Sequence, residues 1–234
     1  MRIFTTICIV SIAAFSLLLS RLLTSKYNFQ LHQNQYINGL AKHQCFALLI
    51  AIVFIALFLC KNPASKEFFQ IGELSSIAEK EKWIGINGNS TWLKNGLQLL
   101  FFISLATGIF VGLGVMNSGS ISNFQLSFIP FILLFSLTNS FAEEIIFRYA
   151  IIAGLEDYYP KGLILITSAI LFGIPHFFGN PSGIVGVIMS GLLGYILCKA
   201  TLETRGLSIA WGIHFVQDII IFTGLLMMNS YSTS

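Results

Sequence analysis

Six ionisable side chains stand in this sequence where apolar residues surround them. The run Thr138-Asn139-Ser140-Phe141-Ala142-Glu143-Glu144-Ile145-Ile146-Phe147-Arg148 carries two adjacent carboxylates and a guanidinium. Leu171-Phe172-Gly173-Ile174-Pro175-His176 brings an imidazole to the end of another apolar run, and His214 and Asp218 lie four apart in a third. On a helix of 3.6 residues per turn, Glu144 and Arg148 share a face and can pair, whereas Glu143 is turned about 100° away. One carboxylate is then committed to the cation, and the other is free to act as a general base or a ligand. A purely structural ion pair explains Glu144 and Arg148 but leaves Glu143 without a role. Pro175 removes a helical hydrogen bond and Gly179-Asn180-Pro181 signals a turn, so His176 falls where its helix ends. Taken alone, His176 reads as a core histidine bonded to a freed carbonyl. His214 and Asp218 share a face, which lets the carboxylate orient or charge the imidazole.

The elements that must carry these groups are membrane helices. The 234 residues are 55% hydrophobic and 10% charged, with a mean hydropathy of +0.80, against about 25% charged residues in soluble domains. The expected fold is an all-α, polytopic transmembrane bundle of about seven spans, near 3–23, 44–60, 97–116, 127–153, 163–178, 183–199 and 207–228. Continuous apolar blocks of about 17 residues or more favour helices over the alternating strands of a barrel. Charge at mid-bilayer costs several kcal/mol or more, so Glu143, Glu144, Arg148, His176, His214 and Asp218 should face a bundle interior and serve function. Counted along the helices from the basic loops, Glu143, His176 and Asp218 each lie about 20 Å deep and His214 about 14 Å. Residues distant in sequence thus converge on one layer, as a catalytic or metal site in a bundle requires.

Orientation follows from the loop cations. Arg2, Lys61, Lys66, Lys80, Lys82, Lys94, Lys161, Lys199 and Arg205 fall on one side, and Lys26 and Lys42 on the other. This nine-to-two division predicts a cytoplasmic N-terminus, with the C-terminus outside. The first span lacks an A-x-A-like cleavage site and reads as an uncleaved helix rather than a secretory signal. A bundle at 126–228 holds the ionisable groups and follows N-terminal membrane helices (1–125), which include a polar connection at 61–96. Within it Ile71, Leu74, Ile77 and Ala78 recur at helical spacing, which fits either an interfacial amphipathic helix or a solvated connector. Gly108 and Gly112, and Gly186, Ser190 and Gly194, form small-residue stripes that read as packing surfaces. Cys8, Cys45, Cys60 and Cys198 show no CxxC spacing and read as small membrane residues rather than a disulfide framework. The net charge of +3 is small and scattered and no phosphate loop appears, so nucleic acid and nucleotides are not expected partners.

Taken in order on three successive hydrophobic elements, Glu143-Glu144-x-x-x-Arg148, Phe172-x-x-x-His176 and His214-x-x-x-Asp218 resemble the CAAX protease and bacteriocin-processing (CPBP, Abi-type) family of intramembrane proteases. The resemblance covers roughly residues 126–222; the first hundred residues match it only as extra membrane helices. It implies hydrolysis of membrane-associated peptides or proteins. In the family's eukaryotic branch this trims prenylated C-termini, and in its prokaryotic branches it is associated with peptide maturation and bacteriocin self-immunity, which implies a prokaryotic cell membrane here. By motif, Glu143 would match the water-activating glutamate and His176 its partner at the water. Glu144 and Arg148 would support the geometry, and His214 with residue 218 would stabilise the oxyanion. The prenyl-protease branch has Asn where this chain has Asp218, which leaves the role of that position open.

Two mechanisms fit these residues. In a metalloprotease, Glu143, His176 and His214 would hold a divalent ion such as Zn²⁺ and lower the pKa of bound water. In a metal-free glutamate protease, Glu143 removes the water proton and His214 binds the oxyanion. The H-E-x-x-H spacing of soluble zinc proteases is absent, which lowers the metal reading without excluding it. A non-catalytic scaffold or immunity protein could keep the cluster for structure and bind a partner membrane protein. A proton-coupled transporter could also use it, although no inverted repeat supports that.

Overall fold

The structure is a computed structural model that describes residues 2–23, 30–179 and 181–230. Lys26 of the charge count, Asn180 of the expected turn and the C-terminal residues 231–234 lie outside the described residues.

Helix α1 (Arg2–Leu23) is followed by α2 (Gln35–Lys61), capped by Asn34, whose side chain accepts from the amides of Tyr36 and Ile37. Thr91 caps α3 (Trp92–Asn117). Helix α4 (Ile129–Glu144) passes without a break through a π turn, Ile145–Tyr149, into α5 (Ala150–Leu155). Helix α6 (Lys161–Gly173) tightens to a 3₁₀ turn, Ile174–Phe178, at Pro175; α7 (Gly183–Thr204) and α8 (Ser208–Met228) complete the bundle. Among the described residues, six helical stretches are long and apolar enough to cross a membrane, and Ile3–Leu19 of α1 is a shorter apolar helix. The expected all-α polytopic bundle is therefore present, with its second span starting nine residues earlier than the hydropathy suggested.

The two ends of the bundle are marked by contacts between loops. At one end Glu73 N donates to Thr204 O at 2.7 Å, Leu207 N to Phe68 O at 3.0 Å, and Lys161 pairs with Glu79 and Glu203. At the other, Asn34 Nδ2 donates to Asn229 O at 2.9 Å and Asn123 Nδ2 to Met227 O at 3.2 Å. Side chains such as Phe101, Leu105, Ile109, Ile184 and Ile188 point outward, the surface a lipid phase solvates.

The segment between α2 and α3 does not form an amphipathic helix; most of its residues are exposed, as in a solvated connector, but it is held to the bundle. It is a 3₁₀ turn (Pro63–Phe69) and an irregular strap, with isolated bridges Ile77–Thr91 and Glu81–Ile86, folded against the ends of α7 and α8. Gly72 is left-handed (φ +85°), and a Cβ there would lie 2.7 Å from Thr204 O, so only glycine lets the strap approach that closely. Beneath the strap, Lys199 is buried within α7 rather than at a loop boundary. Its Nζ lies 2.6 Å from Glu203 and 3.6 Å from Glu81.

Of the two glycine stripes, that on α7 packs: a Cβ on Gly194 would meet Phe172 Cβ at 3.1 Å, and one on Gly173 would meet Val187 O at 2.7 Å. Among the described residues, Gly108 and Gly112 have nothing within 4 Å of such a Cβ, so that stripe packs against none of them.

The arrangement predicts that Asn87, on the strap, and Asn117, at the far end of α3, lie on opposite sides of the membrane. Single cysteines at these exposed positions, in a background lacking the four native ones, should react with an impermeant thiol reagent from opposite faces. Labelling of both from one face would contradict the topology.

Candidate active site

The site begins with the π turn. One extra residue in the turn breaks the regular ladder, and such insertions recur at functional positions. The Phe147 carbonyl is taken up by Ser168 Oγ of α6 at 2.8 Å, and Tyr149 OH by Ser65 Oγ at 2.9 Å. Ile145 to Tyr149 are all buried. The widened turn leaves Arg148 in reach of Glu144: Nη2 stands 3.0 Å from Oε1, an ion pair without hydrogen-bond alignment. The guanidinium carbon sits 4.0 Å above the centre of the Phe172 ring. Nε and Nη1 of Arg148 have no hydrogen-bond partner among the described residues.

Glu144 has a second partner that the sequence did not reveal. Its Oε1 accepts from His214 Nδ1 at 2.7 Å, so the imidazole of α8 is oriented by a carboxylate of α4. The expectation that Asp218 orients it through the i, i+4 spacing is corrected accordingly: Asp218 Oδ1 is 3.8 Å away, on the other ring nitrogen. With Nδ1 donating to Glu144, Nε2 faces Glu143 Oε2 at 3.5 Å. Glu143, turned from the ion pair as the helical geometry required, keeps 16% of its side chain exposed where Glu144 keeps 1%.

His176 completes the group from the 3₁₀ turn. Tightening from α to 3₁₀ moves the amide acceptors by one residue, and the Phe172 carbonyl receives His176 Nδ1 at 2.7 Å instead. The Phe172 ring lies between the two imidazoles, with centroids 4.7 Å from His176 and 5.6 Å from His214. Glu143 and His176 line one cavity of about 70 Å³, closed by Leu17 of α1, His43 of α2 and Phe147. All six residues singled out in the sequence thus lie in one cluster, with His176 joined to the others through this cavity and the Phe172 ring.

Polar residues of α2 and α4 that were not singled out belong to the same cluster. Asn139 Nδ2 donates to Asp218 Oδ2 at 3.1 Å, and Gln44 Nε2 donates to Asn139 Oδ1 at 3.1 Å. His43 and Gln44 are both buried. His43 escapes a hydropathy reading because it sits beside Lys42 just outside the expected span 44–60, and only the earlier start of α2 puts it inside the bundle; Gln44 is the first residue of that span and carries no charge to mark it.

Among the described residues no three His, Cys, Asp or Glu side chains converge as a metal-binding group. Glu143 and His214 are close, and His176, with its Nδ1 on a backbone carbonyl, would present Nε2 as its ligand atom; as they stand the three side chains are not gathered around one point.

Residues 125–220 match the family model for type II CAAX prenyl endopeptidases, Rce1-like. This stretch contains all six residues and bears out the resemblance carried by the three motifs. The match supports CAAX-type intramembrane endopeptidase activity in general. No curated protein and no solved structure matches the chain.

Because Arg148 and Glu144 are buried together, removing either strands the other, at a cost of about 3 to 5 kcal/mol for such a pair. Arg148→Ala and Glu144→Gln should lower the folded yield and the unfolding temperature in detergent, while Glu143→Gln changes them little. Equal stability of all three variants would contradict the supporting role of the pair.

Proposed function

We propose that the chain is an intramembrane endopeptidase in which Glu143 activates water and His214 receives the oxyanion. The observation that carries the reading is the division of labour between adjacent carboxylates. Glu144 is consumed by Arg148 and the His214 Nδ1–H, while Glu143 faces both the cavity and His214 Nε2. Glu143 takes one proton from water held between it and His176, and the water oxygen bonds to the peptide carbonyl carbon. The carbonyl π pair moves onto oxygen, which accepts a hydrogen bond from His214 Nε2–H. The proton on Glu143 then passes to the leaving nitrogen as the C–N bond breaks, releasing a carboxylic acid and an amine.

Asp218 cannot donate to an oxyanion while ionised. Its carboxylate instead accepts from Asn139 and faces His214 Nε2, where it favours an imidazolium that can donate. The second reading is a metalloprotease in which Glu143, His176 and His214 move together around a divalent ion such as Zn²⁺, which would polarise the peptide carbonyl and acidify bound water. The substrate class is a membrane-associated peptide or protein, whether a CAAX-like C-terminus or a bacteriocin leader, met in a prokaryotic cell membrane with the N-terminus cytoplasmic. A non-catalytic scaffold or immunity protein is the alternative outside enzymology.

Glu143→Gln keeps the side chain's volume and removes the base, so peptide hydrolysis by the purified protein should fall by about 10²- to 10⁴-fold. Full activity of this variant in a complementation assay would remove the enzyme reading in favour of the scaffold. Asp218→Asn should retain measurable hydrolysis and Asp218→Ala should lose more, with metal content measured on the same samples. Active, metal-free Asp218→Asn protein supports the glutamate mechanism; stoichiometric metal in the wild type, lost together with activity in both variants, supports the metalloprotease.

A further inference from the structure

A line of hydrogen bonds leads away from Asp218 into a helix that the family match does not reach. Asp218 Oδ2 accepts from Asn139 Nδ2 at 3.1 Å, Asn139 Oδ1 accepts from Gln44 Nε2 at 3.1 Å, and Thr138 Oγ1 stands 3.0 Å from Gln44 Oε1. Gln44 belongs to α2, outside the matched segment 125–220. From Thr138, Gln44 and Asn139 together, we infer that Gln44 is a positioning residue of the site, fixing through Asn139 the direction in which the Asp218 carboxylate faces His214. The inference rests on the endopeptidase reading.

The argument is one of polarity. A primary amide has a donating end and an accepting end, and Asn139 could present either to Asp218. A carboxylate only accepts, so the bond forms only if the NH₂ end is turned toward it. Gln44 makes that choice by placing its own NH₂ against the Asn139 carbonyl, and the one hydroxyl proton of Thr138 is shared between Gln44 Oε1 at 3.0 Å and Leu134 O at 2.9 Å. With Oδ2 held in this way, Oδ1 is the oxygen left toward His214 Nε2 at 3.8 Å. Gln44 is 3% exposed and Asp218 5%, with the half-buried Asn139 between them. Reversing the amides would bring the Asn139 carbonyl against a carboxylate, an arrangement with no proton between two acceptors and a repulsive one in a low-dielectric interior.

This role separates from a packing role. Gln44→Met preserves volume and removes the polarity; Gln44→Glu preserves size and the contact with Thr138 but offers Asn139 an acceptor, which turns its NH₂ away from Asp218. Both should lower kcat about tenfold with KM little changed, as the loss of one charge-assisted hydrogen bond at about 1.4 kcal/mol per factor of ten implies. An amide at position 218 can meet Asn139 in either direction, so in an Asp218→Asn background the same Gln44 changes should cost less than about twofold. Equal losses in the two backgrounds, or a loss confined to KM, would overturn the inference. An activity-independent measurement accompanies the cycle: the carboxylate band of Asp218 in isotope-edited infrared spectra, assigned by its absence in Asp218→Asn, should shift in both Gln44 variants. A wild type that hydrolyses no peptide, with the band still shifted, would remove the enzyme reading and leave the hydrogen-bonded line standing; an active wild type whose band does not shift would do the reverse.

Discussion

Arg148 has no exposed surface in a bundle of apolar helices, so its charge must be answered within the length of its own side chain. The nearest answer is Glu144, and because that carboxylate is also buried, it spends its second interaction on the His214 Nδ1–H of a different helix. The π turn at 145–149 allows this, by setting the guanidinium against Glu144 on one side and the Phe172 ring on the other. From that one requirement follow the orientation of the His214 ring, the direction of its Nε2, and the freedom of Glu143 next to it. Aligned fixed groups of this kind cost no reorganisation when charge develops on a substrate.

The surrounding packing keeps these distances short. Gly173 and Gly194 bring α6 and α7 close enough that Phe172 can lie between the imidazoles. At the strap end, Lys199 and Lys161 gather Glu79, Glu81 and Glu203, and Arg205 pairs with Glu67 and Glu156 while lying over Phe68. Those ion pairs tie the strap to α6, α7 and the turn before α8, on the side from which His214 is reached in about two helical turns. Helices α1 and α2 are part of the same packing, since Val10, Leu17, Phe54 and Phe58 share a core with Ile146 and Ile151.

The strongest signals were legible because charge is expensive in lipid. An acid or a cation inside an apolar run has to mean something, and Glu143, Glu144, Arg148 and Asp218 all announce themselves in that way. Contacts between helices were not legible. Spacing within one helix suggested Asp218 as the partner of His214, whereas Glu144, seventy residues away, is the closer one. A neutral amide in an apolar run signals less than a charge does, so Gln44 and Asn139 passed unremarked although Gln44 is as buried as Asp218. The amphipathic-helix reading of the strap fails for a different reason: Ile71, Leu74, Ile77 and Ala78 have helical spacing, but Gly72, Gly85 and Gly88 adopt positive φ, and hydrogen bonds to Thr204 and Ser90 override the local periodicity.

The most direct measurement is an experimental structure of the chain with a phosphonamidate peptide, whose tetrahedral phosphorus carries two oxygens in place of the attacking water and the developing oxyanion. One phosphoryl oxygen should lie within hydrogen-bond distance of His214 Nε2 and the other against Glu143, with Glu144 still on His214 Nδ1. A peptide seated away from these residues, or a cation bridging Glu143, His176 and His214 to the phosphoryl oxygens, would contradict the assignment of Glu143 as base and His214 as oxyanion donor.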